Sequence, residues 1–466
     1  MIRRLVIFGA LGDLTSRYLI PACAELREGG DFPDGGRILG VDREDWTSET
    51  FRRHLGETLS RSAVVAASSR NAILAMLDYR KADVTRPPEV AHALGSLAEP
   101  VAIYLALPPS VLTPTVEALA ATGLPEGSQL VVEKPFGENL ASAQSLNRLL
   151  HRTFPEHAVF RIDHFLGKQT VQNILGLRFA NRIFEPLWNS QHIARVDIIW
   201  DETLTIEGRS AYYDATGALR DMIQNHLLQL LCLVGMEAPR TLSAKDLRDR
   251  KVDVLRAVRR LSPEEVARCT VRGRYAAGPL GDRDIPAYID EDGVDPQRKT
   301  ETYAQVILRI DNWRWAAVPF VLRSGKALCR DRREIAVHFK VVPYLPFEHE
   351  RVLQSNVLRL ELNPDRMSLG VNINGPGDPF VLDYVELDRG LAPQWPSAYG
   401  RLLLDVLRGD STLSIRDDEA EESWRIVEPI LDAWAQSRVP LLEYRAGSDG
   451  PHVVPHQPSL ASDLAG

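Results

Sequence analysis

A cluster of ionisable side chains in residues 161–170 suggests chemistry on an anionic substrate. Asp163, His164 and Lys168 place an acid, an imidazole and an ammonium close together, and a further imidazole, His226, follows later in the chain. An ammonium and an imidazole suit the binding of an oxyanion, and an imidazole with a carboxylate suits the movement of a proton. A second interpretation, that Asp163 and Lys168 are solvated charges at a helix start, stays open on spacing alone.

Size and composition limit the classes of protein to consider. The 466 residues exceed the usual limit of a single hydrophobic core, so we expect two domains. The 44% hydrophobic and 25% charged contents are ordinary for a soluble globular enzyme. The net charge of -8 argues against a nucleic-acid or membrane-surface partner.

The chain shows no targeting signal that we recognise. It opens into an apolar strand rather than a leader, and no uncharged apolar run could cross a bilayer. Cys23, Cys232, Cys269 and Cys329 lack the spacing of a metal site, so we expect reduced thiols, no bound metal and a cytoplasmic location.

The first 14 residues predict a dinucleotide-binding turn. Residues 4–8 have the pattern of a short buried strand, the turn Gly9-Ala10-Leu11-Gly12-Asp13-Leu14 follows, and residues 18–26 have a helical pattern. A strand, a glycine turn and a helix let backbone N–H groups approach a pyrophosphate. Because the third glycine of the full fingerprint is missing, a purely structural turn is the alternative.

The end of the second predicted strand bears on the choice of cofactor. Residues 37–41 form this strand, and Asp42 and Arg43 follow it. An arginine here favours the 2′-phosphate of NADP, whereas an acid favours the free 2′-hydroxyl of NAD. The pair therefore leaves both cofactors open, beside the simpler interpretation of two solvated surface charges.

Alternating strands and helices over the first 150 or so residues predict a parallel, doubly wound sheet. Further strands are predicted at residues 102–106 and within residues 129–137, with a helix at residues 46–59 and, over residues 72–83, a helix that leads to a strand end. Lys134 lies at the carboxyl end of the second of these strands, where open α/β sheets bind ligands. A surface lysine at a turn is the alternative.

The second part of the chain has a different pattern. Apolar strands follow one another without intervening helices, which predicts a mostly antiparallel sheet. These strands span residues 302–310, 313–322, 334–342, 357–362 and 367–373, and helices at 399–407 and 419–434 follow them. We therefore predict an α/β Rossmann-type doubly wound domain followed by a larger α+β domain with a mostly antiparallel sheet. The predicted boundaries are 1–163 for dinucleotide binding, 164–450 for substrate binding and dimerisation, and 451–466 for a flexible tail.

Several sequence blocks in a fixed order resemble the glucose-6-phosphate dehydrogenase family over residues 5–451. Together these blocks are highly specific, although none is so alone. They are the glycine turn at residues 9–14, Glu133-Lys134-Pro135-Phe136-Gly137, the segment 161–168, the segment 213–226, Asp311-Asn312-Trp313-Arg314-Trp315, and residues 318–326.

The resemblance implies roles for the ionisable residues. His226 takes the proton of the anomeric hydroxyl while a hydride leaves the same carbon, and Asp163 orients His226. Asp221 precedes His226 by five residues, about 500° around an α-helix, so we expect the partner of His226 to come from elsewhere. The family pattern further implies that His164 and Lys168 bind the sugar phosphate.

The remaining implied contacts concern the sugar and the cofactor. Sugar-binding residues are Glu202, Asp221 and Lys326. Lys134 contacts both substrate and cofactor, and the cofactor also meets Gly9, Gly12, Asp13, Leu14 and Arg43.

Three departures from the family pattern concern the phosphate subsite. Phe165 stands where the family usually has tyrosine, Tyr18 where it has lysine, and Asp331 where a basic residue is expected, with Arg330, Arg332 and Arg333 beside it. We therefore expect weak but phosphate-selective substrate binding.

The resulting hypothesis is an NADP-linked oxidation of glucose 6-phosphate to 6-phosphogluconolactone, the first step of the oxidative pentose phosphate pathway, with NAD also accepted. The departures leave open a paralogue that oxidises a modified or unphosphorylated hexose. A non-catalytic sugar-phosphate-binding relative is a third alternative, against which the retained base and its orienting acid argue. A large sheet with few covering helices further suggests a homodimer or dimer of dimers, and a monomer stays open.

Overall fold

The computed structural model describes residues 1–60, 65–347, 353–377 and 381–451. The predicted tail therefore lies outside the described residues, apart from Pro451.

These residues form strands and α-helices with the following bounds. The strands are β1 (Arg4–Phe8), β2 (Arg37–Asp42), β3 (Leu77–Lys81), β4 (Val101–Leu105), β5 (Gln129–Glu133), β6 (Val159–Ile162), β7 (Ile193–Asp201), β8 (Thr270–Ala276), β9 (Gly278–Leu280), β10 (Arg283–Ile285), β11 (Tyr303–Arg309), β12 (Pro319–Gly325), β13 (Arg332–Phe339), β14 (Val357–Leu362), β15 (Asp365–Asn374), β16 (Leu382–Gly390) and β17 (Leu441–Arg445). The α-helices are α1 (Ile20–Glu28), α2 (Ser48–Ser60), α3 (Ala67–Met76), α4 (Pro87–Leu94), α5 (Pro109–Thr122), α6 (Leu140–Thr153), α7 (Gln169–Phe179), α8 (Ser210–Ala218), α9 (Leu228–Gly235), α10 (Ala244–Ala257), α11 (Pro263–Cys269), α12 (Ala398–Arg408) and α13 (Asp417–Ala435). Two π-helical segments, Thr15–Leu19 and Leu219–Leu227, lead into α1 and α9.

The chain folds into two compact units. The first holds Met1–Gln172, Pro239–Arg250 and Gln394–Glu421, and the second holds Asn173–Ala238, Lys251–Pro393 and the described residues from Glu422 onward. The first unit thus continues past residue 163 and includes two later segments. The predicted division into residues 1–163, 164–450 and 451–466 stays a prediction.

The first unit contains a parallel sheet in the order β3-β2-β1-β4-β5-β6. Its central strands are buried on both faces, which explains their uninterrupted apolar sequences. The order reverses between β1 and β4, so the carboxyl ends of these two strands border the crevice in which doubly wound sheets bind ligands. The predicted Rossmann-type fold is confirmed.

The second unit contains a mixed sheet in the order β16-β15-β14-β13-β7-β12-β11-β8-β17. Its strand pairs are antiparallel except for β7 with β12 and β8 with β17. The prediction of a larger domain with a mostly antiparallel sheet is confirmed. The strands β8, β16 and β17 of this sheet were not predicted; four of the nine residues of β16 are charged, so its sequence lacks a strict apolar alternation.

The strand predicted at residues 313–322 is wrong at its start. Strand β12 begins at Pro319, and the tryptophan-rich residues before it form a turn. Trp315 is fully buried and donates its indole N–H to the Gly235 carbonyl at 2.7 Å, whereas Trp313 is 98% exposed. Ala317 has a φ of 66°, which no strand allows. The apolar residues therefore mark a packed turn rather than a strand.

Among the described residues, no helix is long and apolar enough to cross a membrane. The four cysteines are free. The cytoplasmic location stays a prediction.

Candidate active site

The glycine turn follows β1 at the carboxyl edge of the parallel sheet. Gly9 has a φ of 80°, and a Cβ at this position would collide with the carbonyl oxygen of Ala106 after β4. Its N–H donates to the Val41 carbonyl of β2 at 3.1 Å, and the Gly12 N–H returns to the Gly9 carbonyl at 3.1 Å. Glycine is thus required at position 9, because the backbone passes against the neighbouring strand.

The helix start after this turn fits a dinucleotide. Gly12 and Asp13 are exposed, and Leu14 is half-buried at the N-terminus of the π-helical segment. The Thr15 hydroxyl donates to the Gly9 carbonyl at 3.2 Å and fixes the turn from inside. An exposed helix N-terminus without a Cβ at Gly12 can accept a pyrophosphate close to the backbone.

The side chains of Asp42 and Arg43 have different surroundings. The Asp42 carboxylate accepts the backbone N–H groups of Leu11 at 3.0 Å and of Arg43 at 2.8 Å, so it is directed to the glycine turn. The Arg43 side chain is exposed. Thr85 holds the pKa of Asp83 below its usual value and Arg43 lowers it further, which places the Arg43 charge near that carboxylate.

Lys134 follows β5 through a cis Lys134-Pro135 bond and lies next to an acid that the sequence analysis did not select. Glu133 accepts a hydrogen bond from the Tyr104 hydroxyl of β4. Burial raises the pKa of Glu133 to about 7; Tyr104 and Lys134 oppose this shift, and Asp163 adds to it. The neighbouring carboxyl ends of β4 and β5 thus hold a carboxyl group that titrates near neutrality.

Asp163, His164 and Lys168 lie in a turn between β6 and α7. The Asp163 carboxylate accepts the Phe165 N–H at 2.9 Å, and the Lys168 N–H donates to the Phe165 carbonyl at 3.0 Å. Because α7 begins only at Gln169, His164 and Lys168 do not share a helix face. Phe165 brings them together instead: its ring centroid lies 4.9 Å from that of His164 and 5.2 Å from the Lys168 Nζ.

Tyr399 is a further member of this cluster that the sequence analysis missed. Its ring stacks on the His164 imidazole with centroids 5.7 Å apart and 8° between the planes, and Tyr18 packs against it at 5.1 Å. A Cβ at Gly167 would lie 2.5 Å from the Ala398 carbonyl oxygen, so glycine lets α12 approach the turn. Only the folded chain connects these distant positions, and no sequence spacing indicated them.

In the second unit, His226 and Asp221 lie on the π-helical segment Leu219–Leu227. His226 is 1% exposed, and its backbone N–H donates to the Asn225 side chain at 2.6 Å. Asp221 is buried and accepts the Tyr212 hydroxyl at 3.3 Å. Residues five apart are hydrogen-bonded neighbours in a π-helix, so the α-helical argument that separated Asp221 from His226 was wrong in its premise.

Gly217 and Glu301 set the start of this segment. Gly217 interrupts the helix with a φ of 72°, and a Cβ there would lie 2.5 Å from the Glu301 Oε1. The same oxygen accepts the Leu219 N–H at 3.0 Å, and the Ala218 N–H donates to the Glu301 carbonyl at 3.2 Å. Burial raises the pKa of Glu301.

Glu202 and Lys326 are brought together by the register of two parallel strands. Gly325 of β12 is paired with Asp201 of β7, so the residues that follow them emerge side by side. The Lys326 Nζ donates to the Glu202 Oε2 at 2.6 Å. The parallel register of β7 and β12 therefore places Glu202 and Lys326 side by side.

Tyr213 connects this pair with Asp221. The Lys326 Nζ lies 5.6 Å from the Tyr213 ring centroid. Burial raises the pKa of Tyr213 well above its usual value, and the charges of Asp221 and Glu202 add to the shift. The second unit thus groups all the sugar-binding candidates around one tyrosine.

Asp331 is turned toward the residues after β7. Its Oδ1 accepts the Thr203 N–H at 2.7 Å and the Thr203 hydroxyl at 3.0 Å. The other oxygen lies 3.1 Å from the Arg333 Nη2.

Comparisons with known proteins agree over almost the whole chain. The family model described as "Glucose-6-phosphate dehydrogenase, NAD binding domain" matches residues 6–173, and the model of the C-terminal domain matches residues 175–457. A glucose-6-phosphate 1-dehydrogenase of Treponema pallidum is 42% identical, over 96% of this chain and 92% of its own.

Two solved structures have the same fold at useful sequence identity. A "Glucose-6-phosphate dehydrogenase in complex with its substrate glucose-6-phosphate" superposes with a TM-score of 0.88 at 31% identity, covering 97% of this chain and 96% of its own. The glucose-6-phosphate 1-dehydrogenase of Mycobacterium avium gives a TM-score of 0.84 at 35% identity, with coverage of 97% and 96%.

Proposed function

Because the chain belongs to the glucose-6-phosphate dehydrogenase family, we propose that it oxidises glucose 6-phosphate to 6-phosphogluconolactone. The observation that carries this proposal is the near-complete match to a dehydrogenase structure that holds this substrate. Coverage of 97% of this chain leaves little room for a replaced substrate domain.

NADP is the expected cofactor. The residues present fit it: the turn at Gly9 and Gly12 opens onto an exposed helix N-terminus, and Arg43 offers a solvent-facing cation beyond β2. Bound NADP supplies a nicotinamide that accepts a hydride. Lys134, at the carboxyl end of β5, is proposed to contact both cofactor and substrate.

We propose that His226 removes the proton from the anomeric hydroxyl of the sugar. The hydroxyl oxygen loses this proton, and the carbon that bears the hydroxyl loses a hydride. The C–O bond thereby becomes the carbonyl of a lactone. The burial of His226 supports this role, since water cannot readily exchange with a base in such a position. Asp163 is proposed to fix the tautomer of His226 and to stabilise the imidazolium that forms.

The substrate contacts are proposed from the family pattern. Within each unit, the residues proposed to bind the same part of the substrate lie close together. His164 and Lys168, which share contacts with Phe165, would bind the phosphate. Glu202, Asp221 and Lys326, grouped around Tyr213, would bind the sugar hydroxyls. An acid and a cation that lie side by side suit the recognition of a hydroxyl, because the hydroxyl can donate to the acid and accept from the cation.

An initial-rate panel tests the proposed function. Glucose 6-phosphate, glucose and other hexoses with their 6-phosphates should be assayed with NADP and with NAD. We expect the highest kcat/KM for glucose 6-phosphate with NADP. A hexose without phosphate that is turned over equally well would instead support a paralogous dehydrogenase.

A homodimer or dimer of dimers is also proposed. Two apolar side chains, Leu387 on the edge strand β16 and Ile373 on its neighbour β15, are 59% and 44% exposed, which a second copy could cover. Sedimentation velocity with a Leu387→Asp variant tests this: the variant should dissociate, and a wild-type monomer would contradict the proposal.

A further inference from the structure

His151, Glu156 and Asp417 form a cluster of metal-ligand side chains that no step of the proposed reaction uses. His151 lies in the last turn of α6, Glu156 in the turn before β6, and Asp417 at the start of α13. The His151 Nε2 lies 3.1 Å from the Glu156 Oε2 and 3.1 Å from the Asp417 Oδ2. All three residues belong to the first unit, and one ligand atom of each lies within 4.8 Å of the other two.

Backbone contacts bring the start of α13 to this place. The Asn147 side chain of α6 donates to the Asp417 carbonyl at 3.1 Å, and the Asp417 N–H donates to the Glu156 Oε1 at 3.1 Å. The Ile415 N–H donates to the Arg161 carbonyl of β6 at 3.0 Å. The three side chains therefore meet through contacts that do not involve the imidazole of His151.

Further hydrogen bonds orient the two carboxylates. The Glu156 Oε1 also accepts the Arg161 Nη1 at 2.7 Å, and the Arg161 side chain is fully buried. The Asp417 Oδ1 accepts the Asp418 N–H at 2.8 Å. Each carboxylate thus engages one oxygen within the protein and presents the other to His151. Metal ligands are commonly fixed by outer hydrogen bonds of this kind.

The distances in the cluster fit a tetrahedral zinc ion. Zn²⁺ binds imidazole nitrogen and carboxylate oxygen at about 2.0–2.1 Å, which places two tetrahedral ligands about 3.3–3.4 Å apart. The two 3.1 Å distances from the His151 Nε2 would need to widen by only about 0.2–0.3 Å. An imidazole among the donors favours Zn²⁺ and similar transition metals over Mg²⁺ and Ca²⁺, which take oxygen ligands.

Charge and exposure also suit a cation. Glu156 and Asp417 carry two negative charges, and Arg161 supplies one positive charge beside Glu156. The side chains of His151, Glu156 and Asp417 are 41%, 24% and 26% exposed, so an ion can enter and water can supply a fourth ligand. A protonated His151 between the two carboxylates is the metal-free alternative for the same geometry.

We propose that His151, Glu156 and Asp417 bind one divalent cation of the zinc type, which links α6 to the start of α13. This site does not depend on the proposed function, because metal binding and stability measure it without turnover. The prediction of no bound metal was made from cysteine spacing. These donors are a histidine and two carboxylates from separate segments, which no spacing rule connects.

Three variants of the full chain, without an affinity tag and freed of metal with a chelator, test the site. His151→Gln removes the nitrogen ligand, and Asp417→Asn removes a charged ligand but can still accept the Asp418 N–H. His157→Gln is the matched control, because it removes an exposed histidine that lies next to Glu156 in the same turn but outside the cluster.

Equilibrium dialysis against Zn²⁺ measures the site directly. We expect the wild type and His157→Gln to bind one more zinc ion per chain than His151→Gln. Loss of an outer hydrogen-bond partner weakens metal binding about 10–100-fold, so loss of His151 itself should weaken it at least about 100-fold. Zn²⁺ should raise the Tm of the wild type and of His157→Gln by the same amount, and raise that of His151→Gln less.

Co²⁺ reports the geometry, since a four-coordinate cobalt ion absorbs visible light. We expect this absorption in the wild type and in His157→Gln, and its loss in His151→Gln. Equal zinc stoichiometry and equal Tm shifts in the wild type and His151→Gln would overturn the proposal. A wild type that binds no zinc would also overturn it and would favour the protonated His151. Should His151→Gln not fold, Asp417→Asn decides: it should lose the same zinc ion, and unchanged binding overturns the inference.

Discussion

The imidazole of His164 lies parallel to the ring of Tyr399, with 5.7 Å between the centroids and 8° between the planes. Phe165 meets the same imidazole edge-on at 4.9 Å. His164 is thus held between two aromatic rings, and its orientation toward a ligand is set before binding. Tyr18 packs against Tyr399 with 5.1 Å between the ring centroids.

Tyr399→Ala should weaken substrate binding through His164. An aromatic pair contributes about 0.5–1.5 kcal/mol, so we expect a 2- to 10-fold higher KM for glucose 6-phosphate. Tyr399→Phe keeps the ring and should keep the wild-type KM. Equal effects of both substitutions would show that the hydroxyl, not the stacking, matters.

His226→Asn should remove turnover and leave binding largely intact. A positioned base contributes about 10²–10⁴-fold to rate, and asparagine keeps a polar group in this buried place. Turnover is measured by NADPH formation, and substrate binding by calorimetry on the same variant. A variant within threefold of the wild-type kcat would contradict the role of His226.

Sequence reasoning predicted the parts of the fold that depend on local pattern. The bounds of β1 and β14 follow uninterrupted or alternating apolar residues, and both agree with the prediction. It failed where tertiary contacts decide. The buried Trp315 gave a turn the apolar pattern of a strand. The charged residues of β16 hid a strand that pairs with β15 along its whole length.

The candidate site shows the same difference between positions set by local pattern and positions set by tertiary contacts. Lys134 and Glu202 follow strands, and a strand end is visible in the sequence. Tyr399 and Arg333 reach their neighbours across the fold, and no spacing encodes such contacts. The π-helical path of Leu219–Leu227 also has no local signal, and its first N–H is bound by Glu301, which is distant in sequence.

Gly217→Ala should disturb the segment that carries Asp221 and His226. The new Cβ would meet the Glu301 carboxylate at 2.5 Å, and the positive φ adds backbone strain of about 1–3 kcal/mol. Gly208→Ala is the matched control, because Gly208 has a φ of 75° but nothing within 4 Å of its Cβ position.

We expect both alanine variants to lower the urea midpoint, Gly217→Ala by more, and only Gly217→Ala to lower kcat at a temperature where both are folded. Similar kcat values in the two variants would mean that Glu301 can move without displacing the segment.

Arg43→Ala should shift cofactor preference toward NAD. A charged hydrogen bond to the 2′-phosphate is worth about 1.5–3 kcal/mol, so kcat/KM for NADP should fall 10-fold or more. Because the Asp42 carboxylate is directed to the glycine turn, NAD use should change little. Specificity constants for both cofactors decide this, and an unchanged NADP value would exclude Arg43 as the 2′-phosphate ligand.

Glu133 should make stability depend on pH in a defined window. Burial raises its pKa from 4.5 to about 7, so the folded protein favours the protonated acid. This contribution is fully present below pH 4.5 and is lost as the pH rises through 7. Glu133→Gln keeps an uncharged acceptor for the Tyr104 hydroxyl at every pH. We therefore expect the free energy of unfolding of the wild type, relative to Glu133→Gln, to fall between pH 5 and 8 by on the order of 1–3 kcal/mol.

Urea unfolding of both proteins across this range measures the difference. Burial also raises the pKa values of Asp201 and Asp405 to about 6, but these carboxyls titrate in both proteins and cancel in the comparison. A difference that is constant from pH 5 to 8 would mean that Glu133 ionises at its ordinary pKa. A difference that grows with pH would mean that Lys134 and the Tyr104 hydroxyl stabilise the carboxylate more than burial opposes it.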